Sequence, residues 1–512
     1  MKRMPFLFAV LILSLFSAGY GFTADHDATL ARSISLRECI EIALGNNINI
    51  AISQTEREKS EAGVQIEEAA FLPKFTWNLT VAQSIAPTNS VIDNNTTVDK
   101  RYLQSELVAA DILPTGTILS LSLTNLRQET NSADALLSPQ YLSGLTFSVE
   151  QPLLQNRGRK VTEAPLQIAR AGALEKTGEW KTTVMDIVAE VRSTFLAYTF
   201  AENELDVRKK AVELAEQMII HTDARIKGGA AAEIDLLPAA SAAAARKEEL
   251  IRAQASARSA EADLKNLLGM RSGADWEKRL LPIMTIEDIS PTGPDDTYEE
   301  AIRRRPEIEV IKARKTQAEI SEAAARNRTL PVLNLVASAG LAGLAGTPNP
   351  NPFIGGHMDY YTGRYSDSVD QMFSGKHYNW QIGIKTEIPW GMKREKAEWA
   401  RSKAMLREQR LTEESVHLQI RNEVWKARVE LESAIARINA ARASTEAAGK
   451  NLEAEEKKLS VGRSTIVEVL RAQHDLSEAR LAEVRANSDA HMAQTRLWRA
   501  TGLILEKEGI EM

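Results

Sequence analysis

The chain has 512 residues, a formal net charge of −6, and 26% charged against 44% hydrophobic residues. The acidic balance argues against a nucleic-acid partner. A single cysteine, Cys39, excludes an internal disulfide. Neither Gly-x-x-x-x-Gly-Lys-Ser nor His-Glu-x-x-His occurs and the seven histidines are scattered, so no catalytic site, metal site or cofactor is expected.

The first residues read as an address. Lys2 and Arg3 precede an apolar run over 6–16 and the small residues Ser17, Ala18, Gly19 and Gly21. That is the pattern of a secretory signal peptide over 1–21, cleaved after Gly19 or Gly21. Cys39 lies beyond it, in a helical pattern, and so is not the lipid-bearing first residue of a mature lipoprotein. No later stretch reaches the roughly twenty continuous apolar residues of a membrane-spanning helix, so any crossing must use strands.

In chain order, residues 35–47 predict a small amphipathic helix with Leu36, Ile40 and Ala43 on one face, and 48–71 a second helix stopped by Leu72-Pro73. The period then changes to two. Phe75, Trp77, Leu79 and Val81 alternate with polar or small residues. After an Asn- and Thr-rich loop come a weaker strand over 107–112, then Leu119, Leu121 and Leu123, then Leu145, Phe147 and Val149, ended by Gln151-Pro152. Apolar residues recur every seven positions at Val184, Val191, Tyr198, Leu205, Val212 and Ile219, a coiled-coil seam in a helix predicted over 159–227 and on the order of 100 Å long. A return helix over 234–268 ends at Gly269. Residues 270–296, with three prolines and two glycines, form a linker.

The plan then repeats. Residues 297–302 echo 35–40, and Leu330-Pro331 echoes Leu72-Pro73. Leu333 to Ala339 alternates as a strand, a Gly-, Pro- and Tyr-rich loop covers 343–376, and Trp380, Ile382 and Ile384 return to Ile388-Pro389. A second seam runs through Val424, Leu431, Ile438 and Leu452, with Thr445 the one polar interruption. An offset of 233 residues maps Gly229 onto Gly462, Asp235 onto Glu468, Leu237 onto Leu470, Val191 onto Val424, Leu264 onto Leu497 and Gly269 onto Gly502. The chain therefore reads as a tandem duplication: 22–269, the 270–296 linker, 297–502, and a short C-terminal segment over 503–512. Amphipathic strands flanked by Trp77, Tyr141, Tyr378, Trp380 and Trp390 fit a lipid-facing sheet with aromatic rings at the interface. So few strands cannot close a wide barrel alone, and open edges do not persist in lipid, so several chains must share one barrel.

With the duplicated helix starts, the Leu-Pro pairs, Gln151-Pro152-Leu-Leu, Ile388-Pro389-Trp-Gly and Ser460-Val-Gly-Arg-Ser-Thr-Ile-Val-Glu-Val-Leu470, the mature chain resembles the TolC-like outer-membrane efflux protein family. The resemblance implies an α+β fold: a homotrimer whose strands form one shared outer-membrane barrel, continued by an α-helical coiled-coil tunnel through the periplasm. An equatorial region would be built from the linker, the small helices and the chain ends. Four strands per subunit, twelve in the trimer, are implied, although the first half shows four strand-like runs where the second shows two. The implied function is a passive exit duct for drugs, toxic solutes or polypeptides, in a tripartite efflux or type I secretion system. Its partners are a periplasmic adaptor (membrane fusion protein) and an inner-membrane pump or ABC exporter.

Glu468 matches an acidic position of the family's periplasmic entrance, and Asp235 its counterpart on the other hairpin. Rings of carboxylate there would favour cations. The same acids would also be stabilised in the first turn of a helix, by about 0.3–1 kcal/mol. Leu459, Ser464 and Arg471 stand where the family can carry an aromatic, a basic and a second acidic residue. Arg463 or Arg471 pairing with Asp235 or Glu468 is the expected substitute for the closed-state bonds. Gly229, Val461 and Gly462 are expected at the hairpin-tip turns and adaptor contact, Pro152 and Pro389 at the strand-to-helix junctions, and Trp77 and Trp380 at the membrane interface. A secreted or periplasmic coiled-coil scaffold without a pore is the alternative, which the strand runs oppose.

Overall fold

The computed structural model describes residues 31–88, 91–93, 96–229, 231–271, 273–283, 289, 297–349 and 359–510. The expected signal peptide and much of the linker lie outside them. In chain order the elements are β1 (Ala31–Ser35), α1 (Leu36–Asn46), α2 (Ile48–Ala69), β2 (Lys74–Pro87), β3 (Thr97–Ile112), β4 (Ile118–Thr130), β5 (Leu137–Pro152), α3 (Arg159–Thr162), α4 (Ala164–Lys227) and α5 (Leu236–Leu267). The remainder are α6 (Ala274–Glu277), β6 (Arg279–Ile283), α7 (Thr297–Arg304), α8 (Pro306–Asn327), β7 (Val332–Pro348), α9 (Tyr365–Phe373), β8 (Tyr378–Glu387), α10 (Lys393–Ser460), α11 (Ile466–Thr501) and α12 (Ile504–Lys507). Among the described residues no helix is long and apolar enough to cross a membrane. The chain divides into two compact units, each assembled from segments of both sequence halves.

The first unit comprises 1–47, 190–289 and 435–492. Its described part of the linker is ordered rather than irregular: β6 pairs in parallel with β1, from Ala31 opposite Arg279 to Ser35 opposite Ile283. Ser35 caps α1 by accepting from the Glu38 N–H at 3.3 Å, and α1 buries Cys39, Ile40 and Ala43. Burial pushes the Cys39 thiol up to about 12, so it is an inert packing group. The Tyr198 hydroxyl donates to the Leu280 carbonyl, and the Leu280 N–H donates to Glu261 at 2.8 Å, fixing the ribbon on α4 and α5. Of the seam residues in this unit, Val191, Tyr198, Leu205, Val212, Ile438 and Leu452 are buried and Ile219 is half-buried. Thr445 satisfies its polarity by donating to the Ala479 carbonyl at 3.1 Å.

The second unit comprises 48–189, 290–434 and 493–512. Its centre is one antiparallel sheet of six strands in the order β2-β3-β4-β5-β7-β8. The resemblance implies four barrel strands per subunit, and the sheet of this chain holds six: the extra hairpin comes from the first half, where residues 97–130 supply β3 and β4. Register partners on an antiparallel sheet share a face, and the pairings define rows. One row is Phe75, Ala109, Leu121, Phe147, Ala339 and Trp380; the next is Trp77, Leu107, Leu123, Leu145, Leu341 and Tyr378. Between them on the opposite face run Thr76, Val108, Ser122, Thr146, Gly340 and Asn379. Apolar and polar alternation set in each strand separately thus aligns into one apolar and one largely polar face.

β7 is longer than its alternating run because Gly340, Gly343 and Gly346 interrupt the hydrophobic pattern without breaking the ladder. The loop after it also holds a helix, α9, which packs on β5 and β7. Ser143 and Ser368 hydroxyls lie 2.8 Å apart in a buried contact, and Gly343 leaves no room for a Cβ against the Ser368 carbonyl. The loops are tied to one another: Asp93 accepts from the Ser132 hydroxyl at 2.9 Å and the Ala133 N–H at 2.6 Å, and Asn349 donates to the Ser132 and Ala135 carbonyls. Elsewhere in the unit, Arg305 is almost fully buried and pairs with Glu307 at 2.7 Å and Glu423 at 2.5 Å, while Arg499 pairs with Glu307 at 2.9 Å and Asp186 at 2.5 Å.

Candidate functional site

The predicted entrance residues all fall in the first unit, at the two hairpin turns. α4 ends at Lys227, and Gly229 takes φ +74°; α10 ends at Ser460, and Gly462 takes φ +75°. These left-handed conformations suit glycine because a Cβ would crowd the following carbonyl. After Gly462 the Arg463 N–H reaches back to the Lys458 carbonyl at 2.8 Å, and Gly462 N–H to Leu459, closing the helix end. Val461 is exposed beside it, as are Ile234, Leu237 and Val467.

Both acids begin the returning helices. Asp235 closes a single 3-10 turn, its Oδ2 accepting from the Ala232 N–H at 3.1 Å. Glu468 stands in the first turn of α11, its N–H donating to the Thr465 hydroxyl at 3.3 Å, and its side chain is exposed. The geometry matches the helix-dipole role and leaves the Glu468 carboxylate open to solvent. Arg463 and Arg471 are exposed, and among the described residues neither forms a salt bridge within the chain, with Asp235 and Glu468 included. One chain thus does not bring the pairing candidates together.

Other groups join the tips instead. The Arg225 guanidinium donates to the Leu459 carbonyl at 3.1 Å, linking the end of α4 to the end of α10. Ser464 donates to Glu455 at 2.7 Å, and Lys458 pairs with Glu455 at 2.6 Å. The Lys458 ammonium, then the Ser464 hydroxyl, hold the Glu455 carboxyl below its usual range. Beneath them Met218, Ala239, Leu452, Ile466, Val469, Ala472 and Leu476 form an apolar core, with Leu459 and Leu470 packed on it. Arg225 was not among the expected entrance residues, although the sequence offers a signal: an offset of 233 residues places Lys458, also basic, at its counterpart.

In the second unit Trp77 and Trp380 stand on the apolar sheet face, 67% and 70% exposed, and the Trp77 indole N–H donates to the Ser105 hydroxyl at 2.9 Å. Pro152 ends β5 in a buried position opposite Asn334, and Pro389 leads from β8 into a 3-10 turn whose Gly391 takes φ +74°. Among the described residues no group of three or more His, Cys, Asp or Glu is placed to hold a metal ion.

The outer membrane efflux protein family model matches residues 39–270 and again 297–503. Outer membrane efflux protein BepC of Brucella suis biovar 1 (strain 1330) is 26% identical over 297 residues, 58% of this chain and 59% of that protein, so the match spans under two thirds of the relative's length. The outer-membrane channel OprN superposes with a TM-score of 0.65 at 16% identity, covering 91% of this chain and 89% of that one. The Campylobacter jejuni CmeC outer membrane channel also gives 0.65, at 15% identity over 93% and 90%. The chain belongs to the outer membrane efflux protein family and carries the fold of its outer-membrane channels.

Proposed function

We propose that this chain is the outer-membrane exit duct of a tripartite efflux or type I secretion system, passing drugs, toxic solutes or polypeptides delivered by an inner-membrane pump or ABC exporter. The observation that carries the reading is the pair of apolar rows crossing every strand of the large sheet, backed by a largely polar face. A sheet with one apolar and one polar face, and with edges that cannot stay open in lipid, suits a barrel shared between copies around a water-filled lumen. A homotrimer closes it, and the coiled-coil hairpins supply the periplasmic tunnel. The family membership and the channel fold support this assignment.

The duplication belongs to the same reading. The family model matches the chain twice, and three pairs of glycines 233 residues apart, Gly158 with Gly391, Gly229 with Gly462 and Gly269 with Gly502, share positive φ. Exposed Ile234, Leu237, Val461 and Val467 around the two turns form the apolar contact for a periplasmic adaptor. Asp235 and Glu468, repeated by threefold symmetry, form an acidic mouth that favours cations. Arg463 and Arg471 meet those acids across neighbouring copies in the closed state. No catalytic role is proposed.

The test is to fractionate cell envelopes and reconstitute the purified protein in planar bilayers. Recovery with the outer membrane, a cross-linked species of three chains and discrete conductance steps are expected. Recovery of a folded protein in the soluble periplasmic fraction, without conductance, would return the chain to a scaffold.

A further inference from the structure

We infer that each copy contributes six strands to the membrane barrel, so that a trimer closes eighteen strands. The inference rests on the outer-membrane reading and deepens it by naming what the extra hairpin does. β3 and β4 are integral to the sheet, since their register runs from Lys100 opposite Thr130 to Ile112 opposite Ile118 without a shift. Their side chains also keep the apolar rows intact: Ala109 and Leu107 of β3, and Leu121 and Leu123 of β4, stand between Phe75 and Trp77 of β2 and Phe147 and Leu145 of β5. A hairpin folded away as an extracellular flap would have no reason to match the height and face of that band. On a flap, the two faces would be free to differ from those of the barrel.

The edges point the same way. Among the described residues β2 and β8 are the strands of the sheet with one unpaired side; every residue of β8 and all but one of β2 are exposed. With six strands in an antiparallel order β2 and β8 run in opposite senses, so β8 of one copy meets β2 of the next in the antiparallel sense found throughout the sheet. The occupant of each edge is therefore a second copy of this chain. Barrel diameter grows with strand number, and closed sheets of about 16–18 strands hold an aqueous channel. The membrane section of this duct is then wide.

The test uses single-cysteine variants of the full chain in a Cys39→Ala background, reconstituted and labelled with a bimane maleimide. Leu107→Cys and Leu121→Cys report the extra hairpin, and Phe147→Cys and Ile382→Cys are controls on strands outside it. Brominated phospholipid is expected to quench all four several-fold more than Ser122→Cys on the polar face. Quenching of the two controls but not of Leu107→Cys and Leu121→Cys would overturn the inference while leaving the outer-membrane reading standing. Quenching of none of the four, from folded protein, would remove that reading itself. Oxidative cross-linking adds the seam: Gln381→Cys is expected to join a neighbouring copy through Thr76→Cys, Asn78→Cys or Thr80→Cys on β2. Joining through Ser122→Cys or Thr124→Cys on β4 instead would put the edge there and overturn six strands.

Discussion

Phe75 on β2 and Trp380 on β8 are the two ends of one row of side chains on one face of the sheet, and every residue between them is apolar. Both are largely exposed, at 74% and 70%. Exposure of this kind across a whole sheet face costs too much in water to be left uncovered, at about 25 cal/mol per Å² of apolar surface. Lipid covers it in this account. Leu123→Arg, in the neighbouring row, is expected to destabilise the folded protein in bilayers by about 2–4 kcal/mol. Ser122→Arg, one residue away on the opposite face, is expected to change stability little. Urea titration of both variants in lipid vesicles measures the difference; equal effects would contradict the assignment of faces.

The hairpin turns give a backbone prediction. Gly229 and Gly462 have positive φ and open space where a Cβ would sit, so Gly229→Ala and Gly462→Ala cost conformational strain alone, about 1 kcal/mol each. Gly269 also has positive φ, but a Cβ there would meet the Asn46 carbonyl at 2.5 Å. Gly269→Ala is expected to lower the denaturation midpoint more than either tip variant. The three midpoints, compared under one protocol, check the order.

Glu307 gives a pH prediction. Burial works to raise its carboxyl, but the Arg305 hydrogen bond and the Arg499 and Arg305 charges outweigh burial and hold it at about 2. A carboxyl depressed in the folded state stabilises fully above its unfolded value, and that contribution is lost as pH falls from about 4.5 toward 2. Glu307→Gln is expected to lower stability at neutral pH by on the order of 2 kcal/mol, allowing for partial solvent screening. Its loss of stability between pH 4.5 and 2 is expected to be shallower than that of the unaltered protein. Parallel pH profiles of the denaturation midpoint would contradict the account.

Much of this fold was legible because its signals are periodic. The heptad residues Val191, Tyr198 and Leu205 are buried, and the two-residue alternations at Phe75, Leu119, Leu145 and Trp380 are strands of one sheet. The two glycines 233 residues apart, Gly229 and Gly462, both take positive φ at turns. Legibility failed where no period exists. α9 hides within a loop sequence rich in Gly and Tyr because nine residues give too few turns for a stripe, and its hold on the sheet depends on Ser143, 225 residues from Ser368. β1 and β6 are five-residue strands defined by their pairing with each other across the chain. The Arg305 network joins residues from α8, α10 and α11 that share no local pattern. At the hairpin turns, the 233-residue offset pairs Asp235 with Glu468 in the sequence, but Arg225 bonding a backbone carbonyl leaves no mark on the residue it contacts.

Arg225 also makes a prediction for the tip. Arg225→Ala removes the link between the ends of α4 and α10 and leaves the Leu459 carbonyl with the Gly462 N–H alone. Faster proteolytic cleavage in the 459–465 turn is expected, with the sheet unaffected. An unchanged cleavage rate would show that the apolar core of Met218, Leu452 and Val469 holds the tip without it.

An acidic mouth on a channel is read most directly from the reversal potential of single channels under a salt gradient in planar bilayers. Cation-selective openings are expected, with selectivity reduced in Asp235→Ala and Glu468→Ala and lost in the double variant. Channels without cation preference, or with a preference untouched in the double variant, would contradict the acidic mouth, and a folded protein that remains soluble and never conducts would contradict the channel.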